Sequence, residues 1–308
     1  MRLSATRDHH RRQLLVHRTG GGAAPLSALS PALLDDQVSL LSQLTDGARR
    51  DALQRAADDL DDGMVVEAPE TGETAGEPVV AVDHVLGIGL NYRAHAADLG
   101  APEPQEPAWF TKFARTIGAS GSTVFLPPDS QKVTAEAELG LVIGQACWRV
   151  SPAEALDVVA GAVTVLDHCA EDILHRNTRF LTRSKNFPTF LTVGSDLVTL
   201  DELLEHGSLG HLEVTTTNSD GSSHHGPVAD MLFDPARIIS ELSAVVPLRP
   251  GDLITTGTPG ATRLHDGDRV TGEVTGVGRV LAVVSRPDGD TYRAEVLAAL
   301  PHLDTRPV

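Results

Sequence analysis

The sequence predicts an α+β fold that is mostly β, with a small α-containing region at its N-terminus. Three observations predict it. Extended helical spacing of apolar residues is concentrated in residues 1–80. From about residue 79 the chain changes to short aliphatic runs separated by Gly, Pro and Asn turns. From residue 190 onward it is written mainly as strand and turn, interrupted by one clear helix. The division expected is a separate, less ordered region over 1–80 and a main domain over 81–308.

In the first region, Ser30 and Pro31 read as the N-cap and first residue of a helix through PALLDDQVSLLSQL. Ala48, Leu53, Ala56, Ala57 and Leu60 mark a second helix over 46–60. His9-His10 beside Arg11-Arg12 reads as a solvated tail, and acidic GETAGEP (72–78) as a linker.

Val79–Val82 and Val85–Leu90 are aliphatic runs, followed by a helical turn, RAHAADLG. His95 and Asp98 lie three apart, so they share a helix face. A carboxylate beside an imidazole orients the ring and raises its basicity, as a general base requires; the same spacing also suits a surface pair. The Pro- and Glu-rich APEPQEP that follows suits a lid.

Trp109–Phe113 and Ser122–Pro128 read as strands, and so does AEAELGLVIG (135–144). Side chains two apart on a strand point the same way, so Glu136 and Glu138 share a face that Gly140, Val142 and Gly144 continue. Two carboxylates at the border of an apolar surface repel each other and lose solvation. A divalent cation relieves both; a half-exposed strand end in water relieves them too.

SPAEALDVVAG (151–161) reads as a helix, with Ser151 and Glu154 forming a capping box. Ala162–Leu166 is an apolar strand ending on Asp167, the natural third ligand for the glutamates. Three carboxylates suit Mg²⁺ or Mn²⁺, with Ca²⁺ the next candidate, and no Cys/His spacing suggests zinc.

Lysine occurs three times, at Lys112, Lys132 and Lys185, in a chain that otherwise uses arginine. Each is therefore a candidate for a specific role. Lys185 can stabilise an enolate or oxyanion if it lies near the metal. Phe190–Val198 and Leu212–Thr217 read as strands, the second closing a hairpin at Asn218–Gly221. PARIISELSAVV forms a helix with Asp234 as N-cap. LITTGTPG places backbone N–H groups and the Thr258 hydroxyl at one spot, an anion or oxyanion contact. Strands at 269–274 and 279–285 complete an all-strand C-terminal half.

Composition limits the partners. The chain is 41% hydrophobic and 22% charged, an ordinary globular balance. A formal net charge of −17 disfavours nucleic acid and anionic membranes. No apolar run reaches about 18 residues, the length a membrane helix needs. Leu14-Leu15-Val16 is too short for a signal-peptide core, and two cysteines, Cys147 and Cys169, suit a reducing compartment. A cytoplasmic protein with a small-molecule substrate is expected.

Six segments together, IGLNYRAHAADLG, LPPDSQKVTAEAELGLVIG, SPAEALDVVAGAVTVLD, RSKNFPTF, MLFDPARIISELS and LRPGDLITTGTP, occur in an order that resembles the fumarylacetoacetate hydrolase family over about 83–285. The resemblance implies a mixed β-roll, a homodimer and a divalent metal. It places Glu136, Glu138 and Asp167 at the metal-ligand positions and His95 at the catalytic histidine, with Asp98 in place of its usual glutamate partner. It makes Lys185 the active-site lysine and Thr258 the threonine of the TGTP loop. It implies C–C bond hydrolysis of a 1,3-diketone or enol. The alternatives are a lyase, isomerase, dehydratase or cyclase outcome through the same metal enolate, as in secondary metabolism, and a non-catalytic metal-binding member. The chain departs from the family at Glu171 and Leu174, where many members carry an arginine and a glutamine that hold an α-keto-acid head. It departs also at Pro188, at Ser222–His225 and at Gly260–Arg263. The metal platform is kept while the substrate shell differs.

Overall fold

The computed structural model describes residues 1–8, 11–30, 37–68, 76–98 and 103–300. Two strands form its centre, Val133–Ile143 and Val159–Ala170, paired antiparallel along their whole length and buried at every position. Uninterrupted Val, Leu, Ile and Ala with few polar breaks is the pattern of strands covered on both faces. They sit inside a twelve-stranded sheet. On one side it continues through Asp196–Thr199 to Arg2–Asp8, Arg11–His17 and Ala23–Pro25. On the other it continues through Leu253–Thr255 and His84–Gly89 to the edge strand Ala108–Phe113.

A second sheet of five strands, ordered Ser223–Pro227, Glu213–Asn218, Arg269–Val274, Gly278–Ser285 and Thr123–Phe125, packs on one face of this centre. The Ala137 N–H donates 2.8 Å to Thr216 Oγ1 across the two sheets. A Cβ at Gly272 would lie 3.2 Å from that of Ala137 and 3.1 Å from Leu166, so the absent side chain lets the layers close. Helix Pro235–Val245, capped by Asp234 through the Arg237 N–H, buries Ile238, Ile239 and Leu242 in the same core.

The N-terminal region is built into this architecture. The sequence places no strand there, yet Arg2, Leu3 and Ser4 pair with Val198, Leu197 and Asp196. Helices Gln37–Thr45 and Gly47–Asp58 bring Leu40, Leu41, Leu44 and Leu53 into a second core with Val142, Val163 and Leu253. The Ser42 hydroxyl donates to the Gly144 carbonyl, and a Cβ at Gly144 would meet Leu41 O at 2.7 Å. The apolar continuation of the glutamate face is thus covered by the N-terminal helices, not by solvent.

Four further expectations are corrected. Val79–Val82 is irregular, and the strand begins at His84. The helix expected over 151–161 reduces to a single turn, Ala155–Val158, because the Val159–Gly161 stretch is drawn into the central strand. The Ser151–Glu154 contact still forms, at 3.1 Å from backbone N–H to carboxylate. Phe190–Val198 breaks into Leu191–Val193 and Asp196–Thr199 around Gly194. The C-terminal half ends on a helix, Gly289–Ala299. The helix start at Pro31, the His9-His10 pair and residues 72–75 of the acidic linker lie outside the described residues. No helix among the described residues is long and apolar enough to cross a membrane.

Candidate metal centre

Register creates the centre. Glu136 stands directly opposite Asp167 on the neighbouring strand, and Glu138 opposite Val165. Because Glu136 and Glu138 share a face, all three carboxylates meet, with one oxygen of each within 4.8 Å of the others. Asp167 and Glu138 are 0% and 1% exposed, and Glu136 9%. Asp167 does not end its strand as expected, because pairing continues through His168, Cys169 and Ala170. Its burial is accordingly complete.

Two lysines compensate the charge. Lys185 Nζ, at the end of helix Leu181–Lys185, lies 2.7 Å from Glu136 Oε2 and 2.7 Å from Asp167 Oδ2, with the Phe110 ring 5.1 Å away. Lys112, on the edge strand, donates to Asp167 Oδ1 and, at 3.3 Å, to the His168 carbonyl. Burial opposes ionisation of Asp167, but the two ammonium groups outweigh it and hold that carboxyl below its usual range. Lys112 is the site residue that the motif reading did not assign. The scarcity of lysine was its signal, since all three lysines of the chain engage acids of this region, Lys132 pairing with Glu171 at 2.7 Å.

Glu138 has a different environment. It accepts a 2.6 Å hydrogen bond from the Gly257 N–H and forms no ion pair with Lys112 or Lys185, whose hydrogen bonds go to Asp167, Glu136 and the His168 carbonyl. Burial, followed by the charge of Asp167, pushes its carboxyl up to about 8. A hard cation on the three carboxylates would remove that strain, and hard oxygen donors are what Mg²⁺, Mn²⁺ or Ca²⁺ takes. The donor set therefore fits a divalent metal.

The raised Glu138 carboxyl gives a test. Between its ordinary value of 4.5 and about 8, the folded metal-free protein holds a proton that the unfolded chain releases. Stability must fall as pH rises through that window. The melting temperature of metal-free protein is expected to decline from pH 5 toward pH 8, and the decline to shrink with saturating Mn²⁺ or in Glu138→Gln. An equal decline in Glu138→Gln would assign it to other groups.

The Gly257 loop is locked from behind. Asn91 donates to the carbonyls of Thr256 (2.7 Å) and Phe233 (3.0 Å) and accepts from the Phe233 N–H at 2.9 Å. Gly257 has φ +92, and a Cβ there would meet Asn91 Cβ at 2.8 Å. Asn91 is a second positioning residue that the sequence reading did not single out. The Thr258 hydroxyl donates 2.8 Å to the Gly260 carbonyl, so it braces the loop at the cavity wall rather than standing free.

A cavity of about 320 Å³ opens over the carboxylates. Its lining contains Glu136, Glu138, Lys185, Thr258 and His95, so the structure brings five of the seven expected site residues to the cavity itself, with Asp167 packed behind them. His95 is buried on helix Arg93–Asp98; the side chain of Asp98 lies outside the described residues, and so do positions 99–102 of the expected lid. The remaining walls are mainly apolar: Ile88, Leu90, Ala108, Phe110, Leu174, Leu181 and Ala261. Glu171 and His175 also line it, whereas the exposed Arg263 points its guanidinium to the Gln131 carbonyl.

Comparison with known proteins places this arrangement. Residues 84–285 match the family model described as fumarylacetoacetate (FAA) hydrolase C-terminal. A protein of Burkholderia multivorans named provisionally as a hydrolase is 39% identical over 207 residues, which is 67% of this chain and 70% of that protein. Further Burkholderia relatives are matched over 66% of their length, so the chain spans about two thirds of these curated relatives. Among solved structures, a 2-hydroxyhepta-2,4-diene-1,7-dioate isomerase from Mycobacterium marinum shares 31% identity and a TM-score of 0.60, covering 68% of this chain and 77% of that one. Fumarylpyruvate hydrolase from Pseudomonas aeruginosa, solved in complex with Mn²⁺ and pyruvate, shares 26% identity and a TM-score of 0.62, covering 71% and 98%. The match extends over the three carboxylates, the buried Lys112 and Lys185 and the Gly257 loop, and the chain belongs to the fumarylacetoacetate hydrolase family of enzymes.

Proposed function

We propose that this enzyme is a divalent-metal-dependent hydrolase that cleaves a carbon–carbon bond of a 1,3-diketone or its enol. The observation that carries the reading is the buried Glu136–Glu138–Asp167 cluster, compensated by Lys185, at the floor of a mainly apolar cavity. The fumarylpyruvate hydrolase neighbour, with Mn²⁺ and pyruvate bound, supports it. The three carboxylates would hold Mg²⁺ or Mn²⁺, and the ion would supply Lewis acidity toward adjacent substrate oxygens.

The chain's own groups account for the rest. His95, at the cavity wall, takes the proton of a water as its oxygen bonds to the carbonyl carbon. The C–C bond then breaks and its electron pair leaves as an enolate. His95 returns the proton to that carbon, so the products are a carboxylic acid and a ketone. Lys185 supplies positive charge beside the developing oxyanion, and the Gly257–Gly260 loop fixes that end of the cavity. The apolar walls exclude bulk water, which strengthens each of these interactions.

One observation favours a second outcome on the same site. The isomerase from M. marinum is more similar in sequence than the hydrolase, and removal of a proton by His95 followed by its return to a different carbon, without water addition, would isomerise the substrate. Product analysis by NMR over a panel of acylpyruvates and simple diketones separates the two, since hydrolysis yields two fragments and isomerisation one product of unchanged mass. Activity is expected with Mg²⁺ or Mn²⁺ and to be lost with EDTA. His95→Gln is expected to lower kcat about a hundredfold while leaving Mn²⁺ binding in place. Full activity in EDTA, or an unchanged kcat in His95→Gln, would overturn the metal or the base assignment respectively.

A further inference from the structure

Beyond the carboxylates, Lys185 and His95, the titratable side chains lining the cavity among the described residues include Glu171 and His175. Glu171 opens the short helix Glu171–Arg176 and its side chain is only 13% exposed. Lys132 Nζ approaches its Oε1 at 2.7 Å and His175 Nε2 the same oxygen at 3.3 Å. Both partners use Oε1, and no hydrogen bond or ion pair recorded for Glu171 reaches Oε2. Lys185 is engaged by Glu136 and Asp167, the His175 ring lies against Glu171, and no arginine lines the cavity among the described residues.

We infer that Glu171 sets specificity, and that the substrate is a diketone with an apolar body whose far end carries a hydrogen-bond donor such as a hydroxyl, and no carboxylate. The inference takes the reacting end from the proposed function and adds the identity of the other end. A largely buried carboxylate with one oxygen unshared accepts a hydrogen bond well, and it leaves that oxygen unpaired against a methyl group. Against a second carboxylate it is repulsive in a cavity where solvent screening is weak. Lys132 and His175 orient Glu171 through Oε1 but do not themselves face the ligand: Lys132 stands outside the lining and His175 is turned to Oε1. Leu90, Phe110, Leu174 and Leu181 are the apolar walls along which the body lies.

The test uses three 2,4-diketones of equal chain length that end in methyl, hydroxymethyl or carboxylate. Their affinities for the Mn²⁺-loaded full chain are measured by calorimetry and their turnover by NMR. The hydroxymethyl ligand is expected to bind at least about tenfold tighter than the carboxylate, with methyl between them. In Glu171→Gln the spread is expected to fall to about threefold or less. Tightest binding of the carboxylate by the wild-type protein, no binding of any of the three, or an unchanged spread in Glu171→Gln would each overturn the inference. The wild-type ranking needs no variant to fold. Binding in the expected order without cleavage would leave the inference standing and sink the hydrolase reading. Cleavage with the carboxylate preferred would do the reverse.

Discussion

Asp167→Ala is expected to abolish detectable Mn²⁺ binding and activity and also to cost the metal-free protein about 3–5 kcal/mol of stability. Both losses come from one geometry. Asp167 supplies one of three converging carboxylate oxygens, so its removal leaves a pair too weak to hold a hard cation. It also accepts from Lys112 and Lys185, both buried in the same place. Without it, Lys112 keeps only the His168 carbonyl at 3.3 Å, and its ammonium is stranded in a site to which water has no access. Burial already pulls Lys112 below its ordinary range, so in the variant it is expected to lose its proton. Glu136→Ala is the control. It removes a ligand too, yet leaves Lys185 on Asp167 and relieves repulsion on Glu138. It should lose Mn²⁺ binding with a much smaller drop in melting temperature. Calorimetric titration of Mn²⁺ and thermal unfolding of both variants, each without metal, check the pair. Equal stability losses would mean that the lysines do not depend on Asp167 as described.

The carboxylate cluster was legible because its geometry is local. An Glu-x-Glu spacing inside an aliphatic run fixes two carboxylates on one strand face, and an aspartate in the next long apolar strand is the nearest acid that can meet them. The second cation was not legible as a partner. Lys112 lies 55 residues before Asp167, and only the order of strands in the sheet brings the two together. The N-terminal strand Arg2–Asp8 was missed for the same kind of reason. Its charged residues hide the alternation, and although Arg11–His17 pairs with it locally, the strand that joins it to the main sheet lies nearly two hundred positions away. The helix expected over 151–161 carried a true capping contact, but the β-branched Val159 and the small Ala160-Gly161 pack better in the central sheet than on a helix. At Gly161 a Cβ would come 2.3 Å from the Val198 carbonyl, a close approach that only the partner strand explains. Thr258 lies at the cavity wall, and its hydroxyl donates to the Gly260 carbonyl, a bond that sequence cannot foresee because it depends on how the loop folds back on itself.

Lys185→Met separates what this lysine does for the fold from what it does for the reaction. In the metal-free protein its ammonium bridges Glu136 and Asp167 at 2.7 Å each, and charge attraction holds it well protonated despite burial. Methionine fills a similar volume but leaves those two carboxylates less compensated, so metal-free Lys185→Met is expected to be less stable by about 3 kcal/mol. The same ammonium competes with any dication for the carboxylates and repels it at short range. Its removal is therefore expected to tighten Mn²⁺ binding by about tenfold. Saturating Mn²⁺ should then restore most of the lost stability, because a bound cation stabilises the folded form by mass action. Turnover should stay lost by about a hundredfold or more even in the loaded variant, because the cation replaces the charge on the carboxylates and not the donor beside the developing oxyanion. The measurements are Mn²⁺ titration, melting temperature with and without Mn²⁺, and kcat at saturating Mn²⁺. Weaker Mn²⁺ binding in Lys185→Met would show that the lysine builds the metal site instead of competing for it, and a kcat near wild type would remove it from the reaction.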